Sequence, residues 1–226
     1  MDLATDFDLS DTSPYSYSIS YNGSSIQSLT RSVSSTQYDY KYNAALPVKR
    51  DKTVSGVSKG VDSFFFNTSN SIDLLKHYEN GTLYDAIKWQ YSSSRLTKKE
   101  FTHYGASITT AYNTYVVANN NVSKVERYTS GGTMYDSYMY AYGTQENRLY
   151  KQNKLIDLFL HVDEDMESVV YDALLNSERL VEKIIYTEVG KGAITYNITY
   201  DMNTNGYPVQ VKSNGKTIIT FEYDCK

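Results

Sequence analysis

Tyr15-Ser16-Tyr17-Ser18-Ile19-Ser20-Tyr21-Asn22 sets a ring or an aliphatic chain at every odd position and a hydroxyl or amide at every even one. Successive side chains of a strand point to opposite faces, so the segment reads as a strand with rings on one side and polar groups on the other. Asn22-Gly23 follows, a dipeptide that accepts the positive φ of a tight hairpin. The alternation returns in Tyr38/Tyr40/Tyr42 against Asp39/Lys41/Asn43, and in Ile87/Trp89/Tyr91 against Lys88/Gln90. It returns again in Ile194/Tyr196/Ile198/Tyr200, and in Thr217/Ile219/Phe221/Tyr223 opposite Ile218/Thr220/Glu222/Asp224.

Many of these runs end on one pattern: an apolar or aromatic residue, any residue, an aromatic, then Asn, Asp, Gly or Ser. It stands at Ile19–Asn22, Tyr40–Asn43, Phe64–Asn67, Trp89–Ser92, Tyr140–Gly143, Ile198–Asp201 and Phe221–Asp224, with a fainter copy at Thr110–Asn113. The aromatics at 21, 42, 66, 91 and 112 lie 21, 24, 25 and 21 residues apart. Such a period holds two short strands and two turns, a β-hairpin. Turn signals fall between the runs at Asn80-Gly81, Gly131-Gly132, Asn205-Gly206 and Asn214-Gly215. The last two bracket a strand over 207–212, with Pro208 at its start, where a missing N–H does least harm. The prediction is an all-β chain, an antiparallel up-and-down meander of hairpins, strongly curled or closed into a barrel. It forms one domain over 15–226 behind a flexible leader, 1–14. Closure would remove the exposed edges of a long sheet.

One region breaks the rhythm. Met166, Val169, Val170, Ala173 and Leu174 follow helical spacing. Asp163, Glu164, Asp165 and Glu167 put negative charge where the helix dipole favours it. A short helix near 164–176 is expected to cover one end of the sheet. Ser71 to Tyr78 is read as a second helical turn.

Composition narrows the function. The 226 residues carry a net charge of -4, with 24 Tyr against 7 Phe and one Trp. No basic stripe is present, which argues against nucleic acid. No run reaches the length of a membrane helix. The rings alternate along whole strands instead of forming interfacial girdles, and burying so many hydroxyls in hydrocarbon is costly. The strands also look about seven residues long, short of the ~9–11 a span requires. A chain that does not span a membrane is expected. Residues 1–14 lack a basic and then apolar signal peptide. Cys225 is the single cysteine, which rules out a disulfide within the chain, and reads as incidental.

Leu180-Val181-Glu182-Lys183-Ile184, the strand Ile194–Asp201, Gly206-Tyr207-Pro208-Val209 and Phe221-Glu222-Tyr223-Asp224 together carry a resemblance. They resemble the C-terminal pattern of a family of uncharacterised Bacteroidetes exported proteins, many of them lipoproteins, with a porin-like β fold. The match covers roughly the last fifty residues, with aromatic-x-Tyr-Asn units upstream. The chain is more faintly similar to the Tyr-Asp repeats of bacterial wall-associated shells. The resemblance implies export and a periplasmic or surface address. It implies no catalytic residues.

Little in the chain points to chemistry. His77, His103 and His161 stand far apart and form no metal-ligand spacing, so solvated or strand-edge histidines are expected. No nucleophile elbow, phosphate loop or dinucleotide fingerprint occurs. The acidic run 163–167 lacks the oxygen spacing and glycine of a calcium loop and reads as a helix cap. No catalytic residue, metal site or cofactor is assigned. Trp89 with Tyr91 is a candidate aromatic platform for a sugar, although the alternation favours the core for both. Tyr128 and Tyr207 break the alternation and are the better surface candidates. The leading expectation is a non-enzymatic exported protein that binds a glycan or another envelope component. The alternatives are a structural β scaffold and a hydrolase with acidic residues in a barrel mouth.

Overall fold

The computed structural model describes residues 15–22, 25–31, 36–44, 46–93, 95–152, 173–174 and 176–223. In chain order the strands are β1 (Tyr15–Asn22), β2 (Ser25–Arg31), β3 (Thr36–Asn43), β4 (Leu46–Val54), β5 (Val57–Phe66), β6 (Ile72–Glu79), β7 (Thr82–Ser92) and β8 (Arg95–Tyr104). They continue as β9 (Ile108–Ala118), β10 (Asn121–Tyr128), β11 (Met134–Glu146), then helix α1 (Arg148–Gln152). The chain finishes with β12 (Arg179–Glu188), β13 (Ala193–Met202), β14 (Pro208–Ser213) and β15 (Lys216–Tyr223). Each strand pairs antiparallel with the next, and β1 closes the ring on β15. That closing pair is parallel, Tyr15 opposite Ile219 through Ile19 opposite Tyr223. Fifteen is odd, so the first and last strands of an up-and-down meander run the same way. The expected meander is therefore a closed barrel.

Tight turns set the hairpins. Ser55-Gly56, Asn80-Gly81, Asn119-Asn120 and Asn214-Gly215 each hold two consecutive positive φ values, the geometry of turns whose twist matches the flanking strands. Most hairpins then carry a bulge just past the turn. Tyr42 faces Pro47 while Lys41 faces Lys49, leaving Val48 over; Tyr91 faces Leu96 while Gln90 faces Lys98, leaving Thr97 over. Thr97 Oγ1 donates back to Gln90 O at 3.0 Å, and the bulged Ser123 donates to Val116 O at 3.0 Å. Bulges increase local right-handed twist, which curls the sheet toward closure. The aromatics of the repeat at 21, 42, 66, 91 and 142 each sit at such a shift.

The rings face inward. Along β3, Tyr38 and Tyr40 are buried while Gln37 and Lys41 are exposed. Trp89 is 1% exposed, and Tyr138, Ile184 and Ile219 are at 0%. Eight strands enclose just enough room for side chains, whereas sixteen leave an aqueous channel in a round barrel. Fifteen would approach the second case, yet these mid-height residues form one buried cluster. The interior at that level is filled.

The turns after β4, β6, β8, β10, β12 and β14 mark one rim, called upper here; those after β3, β5, β7, β9, β11 and β13 mark the lower rim. The lower rim carries the long excursion between β11 and β12. Its described ends, Leu149, Ala173 and Leu174, belong to the same buried cluster as the strands. Asn147 N donates to Glu178 O, Arg179 N donates to Asn121 Oδ1, and Val122 N donates to Ser177 Oγ, which ties the excursion to the β9–β10 turn.

Two sequence expectations need correction. Ser71 to Tyr78 lies mostly in β6 instead of a helical turn. Ile72 and Leu75 both point inward because the β5–β6 register slips between Phe65 and Phe66, so a bulge counterfeits the i, i+3 spacing of a helix. The strands also exceed the expected seven residues: β7 and β9 have 11 and β11 has 13. Outward Lys, Thr and Glu extend the ladders to the ~9–11 residues a span requires, so strand length does not argue against one. Of the helix expected near 164–176, Ala173, Leu174 and Asn176 are helical and the remainder lies outside the described residues, while α1 was not anticipated. The leader 1–14, the acidic run 163–167, His161 and Cys225 also lie outside them.

Candidate functional site

A row of polar side chains crosses six strands on the inner face, below the upper rim. Tyr40 of β3 lies opposite Arg50 of β4, which lies opposite Asp62 of β5. Asp62 faces His77 of β6, His77 faces Asp85 of β7, and Asp85 faces His103 of β8. Directly opposed residues share a face. The alternation of β7 places Asp85 with the buried Ile87 and Trp89.

Hydrogen bonds run along the row. Arg50 Nε donates to Asp62 Oδ2 at 2.6 Å, and Arg50 Nη1 donates to Tyr40 Oη at 3.4 Å. The Arg50 guanidinium carbon also lies 4.7 Å from the Tyr38 ring centre and 5.7 Å from that of Phe64, within cation–π range. Asp62 Oδ1 stands 2.7 Å from His77 Nδ1, and Asp85 Oδ1 stands 2.9 Å from His103 Nδ1. Side-chain exposure climbs along the row, from 3% at Asp62 to 15% at His77 and 42% at Asp85. Water therefore reaches the inner face at β7 and β8, while the Arg50 end stays dry.

Tyr84 is the extra residue of the β6–β7 bulge, since Tyr78 faces Leu83 and His77 faces Asp85. Bulges re-aim side chains. Here the Tyr84 ring meets both imidazoles edge to face, at 6.3 Å from His77 and 4.7 Å from His103. Two glycines make room for those imidazoles. A Cβ on Gly60 would stand 2.6 Å from His77 Cε1, and one on Gly105 would stand 2.7 Å from His103 Nε2. The two histidines are thus brought onto one row, each tied to an aspartate, rather than lying as unrelated edge residues. Among the described residues no three His, Cys, Asp or Glu side chains converge as a metal-binding set.

A second ion pair lies beyond β9. Arg127 Nε donates to Asp136 Oδ1 at 2.7 Å, and Nη2 bonds Oδ2. The rings of Tyr135 and Tyr138 each lie 5.2 Å from the guanidinium carbon.

The His77 charge state follows from geometry. Its Nδ1 faces Asp62 and its Nε2 lies 3.4 Å from Glu79 Oε1, so both nitrogens act as donors in the imidazolium. The hydrogen bond with Asp62 outweighs burial and the opposing charge of Lys52, raising the His77 pKa above its ordinary value. Burial works to raise Asp62, but the charge of Arg50 and the His77 bond outweigh it and hold that carboxyl below its usual range. A raised imidazole pKa stabilises the fold fully below the unfolded value, ~6.5, and this contribution fades as pH rises through the folded one. The lowered carboxyl acts oppositely: its contribution is present above ~3.9 and lost as pH falls through the depressed value. Urea midpoints should therefore decline from pH 6 upward, and His77→Gln should flatten that decline. An equal slope in both proteins would show that His77 gains no proton affinity on folding.

The aromatic candidates separate. Trp89 belongs to the core, and Tyr91 and Tyr207 pack against it. Tyr128 lies partly exposed, its ring stacked on Tyr112 at 4.8 Å with 7° between planes. The sequence reading overlooked Tyr84, whose signal was its place just past Asn80-Gly81, where these hairpins bulge.

Neither a family model nor a curated protein matches the chain. Among solved structures it is similar to a porin-like protein from Bacteroides vulgatus ATCC 8482, at 12% identity and a TM-score of 0.44, over 88% of this chain and 87% of that one. A porin-like protein from Bacteroides uniformis ATCC 8492 aligns at 10% identity and a TM-score of 0.27, over 80% and 90%. Part of TcdB2-TccC3 aligns at 9% identity and a TM-score of 0.39, over 86% of this chain and 11% of that one.

Proposed function

We propose that the protein is an extracytoplasmic, non-enzymatic barrel that captures an envelope component, a glycan foremost, at its upper rim. The observation that carries this reading is the Tyr84 ring, 41% exposed, fixed between His77 and His103 beside the exposed carboxylate of Asp85. A ring held by its neighbours offers apolar area at little entropic cost, and carboxylate and imidazole bond sugar hydroxyls. The filled mid-height interior weighs against a hydrolase acting deep in the barrel. The resemblance of the C-terminal hairpins to exported proteins supports the address.

The wall supports a barrel that stays in water. Lys41 and Lys49 pair outward with Asp51, Lys98 with Glu100, and Lys124 with Glu126. A lysine on a lipid-facing wall costs about 2–4 kcal/mol at the bilayer midplane. Among the described residues no helix is long and apolar enough to cross a membrane.

Titration against purified bacterial envelope polysaccharides tests the reading. Saturable binding should weaken at least tenfold in Tyr84→Ala and Asp85→Ala and stay unchanged in Tyr128→Ala. Absence of binding to every polysaccharide removes the glycan, and binding indifferent to Tyr84 moves the site elsewhere.

A further inference from the structure

We propose that the upper-rim hairpin tips dock on an anionic lipid surface. Val48, Phe65 and Val116 are exposed toward the lower rim and Met139 on the wall, but the three most exposed large apolar residues stand at upper-rim turns. Ile108 is 69% exposed, Val57 and Val189 are each 58%, and Tyr104 and Ile194 are also exposed. All five sit on or beside the β4–β5, β8–β9 and β12–β13 turns. Three of the lower-rim turns are built on asparagine instead. Asn67 Oδ1 accepts from Ser69 N and Ser71 N, Asn203 Oδ1 accepts from Asn205 N and Tyr207 N, and Asn119-Asn120 forms the turn between them.

Charge on the upper tips has one sign. The stretches 55–59, 80–83, 104–109, 130–133, 189–195 and 214–216 contain Lys59, Lys191 and Lys216 and no Asp or Glu, in a chain of net charge -4. Glu79 and Glu188 lie one residue below two of these tips, and Glu188 holds Lys191 at 2.9 Å. Apolar tips interleaved with lysines suit a bilayer with anionic headgroups, where apolar insertion and electrostatic attraction add. The tips also sit on separate hairpins around a ring, and a deformable plane receives them together more readily than one protein pocket does. The outward charges of the wall limit the insertion to the tips.

This contact uses residues distinct from Tyr84 and Asp85, so it stands or falls apart from glycan capture. The test is co-sedimentation of the full chain with vesicles of equal phosphatidylglycerol and phosphatidylcholine, and with phosphatidylcholine alone. Binding is expected to the anionic vesicles, weakened by salt and much weaker on the neutral ones. Ile108→Asp with Val189→Asp should lower partitioning at least tenfold, and Lys59→Glu with Lys191→Glu should abolish the preference for anionic lipid. Val116→Asp, on the outer wall, should bind as the parent does, and circular dichroism confirms the fold of each variant. No binding to anionic vesicles, or equal partitioning by the tip variants, overturns the proposal. So does sedimentation velocity showing tip-dependent self-association without vesicle binding, which would make a second copy the occupant.

Discussion

Replacing Arg50 with alanine should destabilise the barrel by about 3–5 kcal/mol, because it leaves a buried carboxylate with the partly exposed His77 as its remaining partner. Arg50 and Asp62 are both at 2% exposure, and the guanidinium is enclosed by Tyr38, Tyr40 and Phe64. Removing it withdraws the larger of the two charges that hold Asp62 ionised, and the carboxyl, left with His77, must share its proton or draw in water. In a domain of this size the melting temperature should fall by on the order of 10 °C. Asp62→Asn should also cost stability, and it leaves His77 facing a neutral amide. The double change Arg50→Met with Asp62→Leu should recover most of the loss, since apolar replacements of a buried pair are often neutral or better. The exposed pair of Lys41 with Asp51 supplies the contrast, as Lys41→Ala should change stability by less than about 1 kcal/mol. Urea unfolding of the four variants decides the matter. An Arg50→Ala protein as stable as the parent would mean that Asp62 is already solvated.

That pair shows how far the residues could be read without coordinates. Period-2 alternation revealed the two-sided strands, and Asn-Gly pairs fixed several hairpins, because both signals are local. The same alternation also carried the site in unused form. Asp62 stands two residues before Phe64, Asp85 two before Ile87, and Asp136 two before Tyr138, so each shares the ring face. Charged residues in register with rings were the sign of an inner polar row. Joining them into Arg50–Asp62–His77 and Asp85–His103 required the cross-strand register, which depends on where each bulge drops a residue. The bulge that aims Tyr84 and the one that made β6 look helical are the same device. A bulge shifts the phase of the alternation while leaving composition unchanged, so only pairing exposes it. Barrel closure was legible as a preference of a long meander; its parallel seam followed from the strand count, which needed every strand found.

Asn147→Ala should be the other costly change, and it tests how the barrel holds its long excursion. Asn147 is fully buried where β11 gives way to α1. Its Oδ1 accepts from Leu149 N at 3.1 Å, the cap of the short helix. Its Nδ2 donates to Leu174 O and, at 2.8 Å, to Ser177 O, gripping chain that returns 27 and 30 residues later. Alanine leaves one amide and two carbonyls without this partner in a buried setting, at about 1–3 kcal/mol for each unsatisfied group. A loss of about 3–5 kcal/mol is expected. Asn147→Asp separates the two roles: it keeps the acceptor that caps α1 but turns a second oxygen toward two carbonyls. If the clamp matters more than the cap, the aspartate variant should be no more stable than the alanine one. Hydrogen exchange localises the damage. The amides of Val122 and Arg179, held by Ser177 Oγ and Asn121 Oδ1, should exchange faster in both variants, while those of β3 to β6 remain protected. An aspartate variant with parental stability and parental exchange at Val122 would show that the lower rim is held by the apolar contacts of Leu149, Ala173 and Leu174 instead.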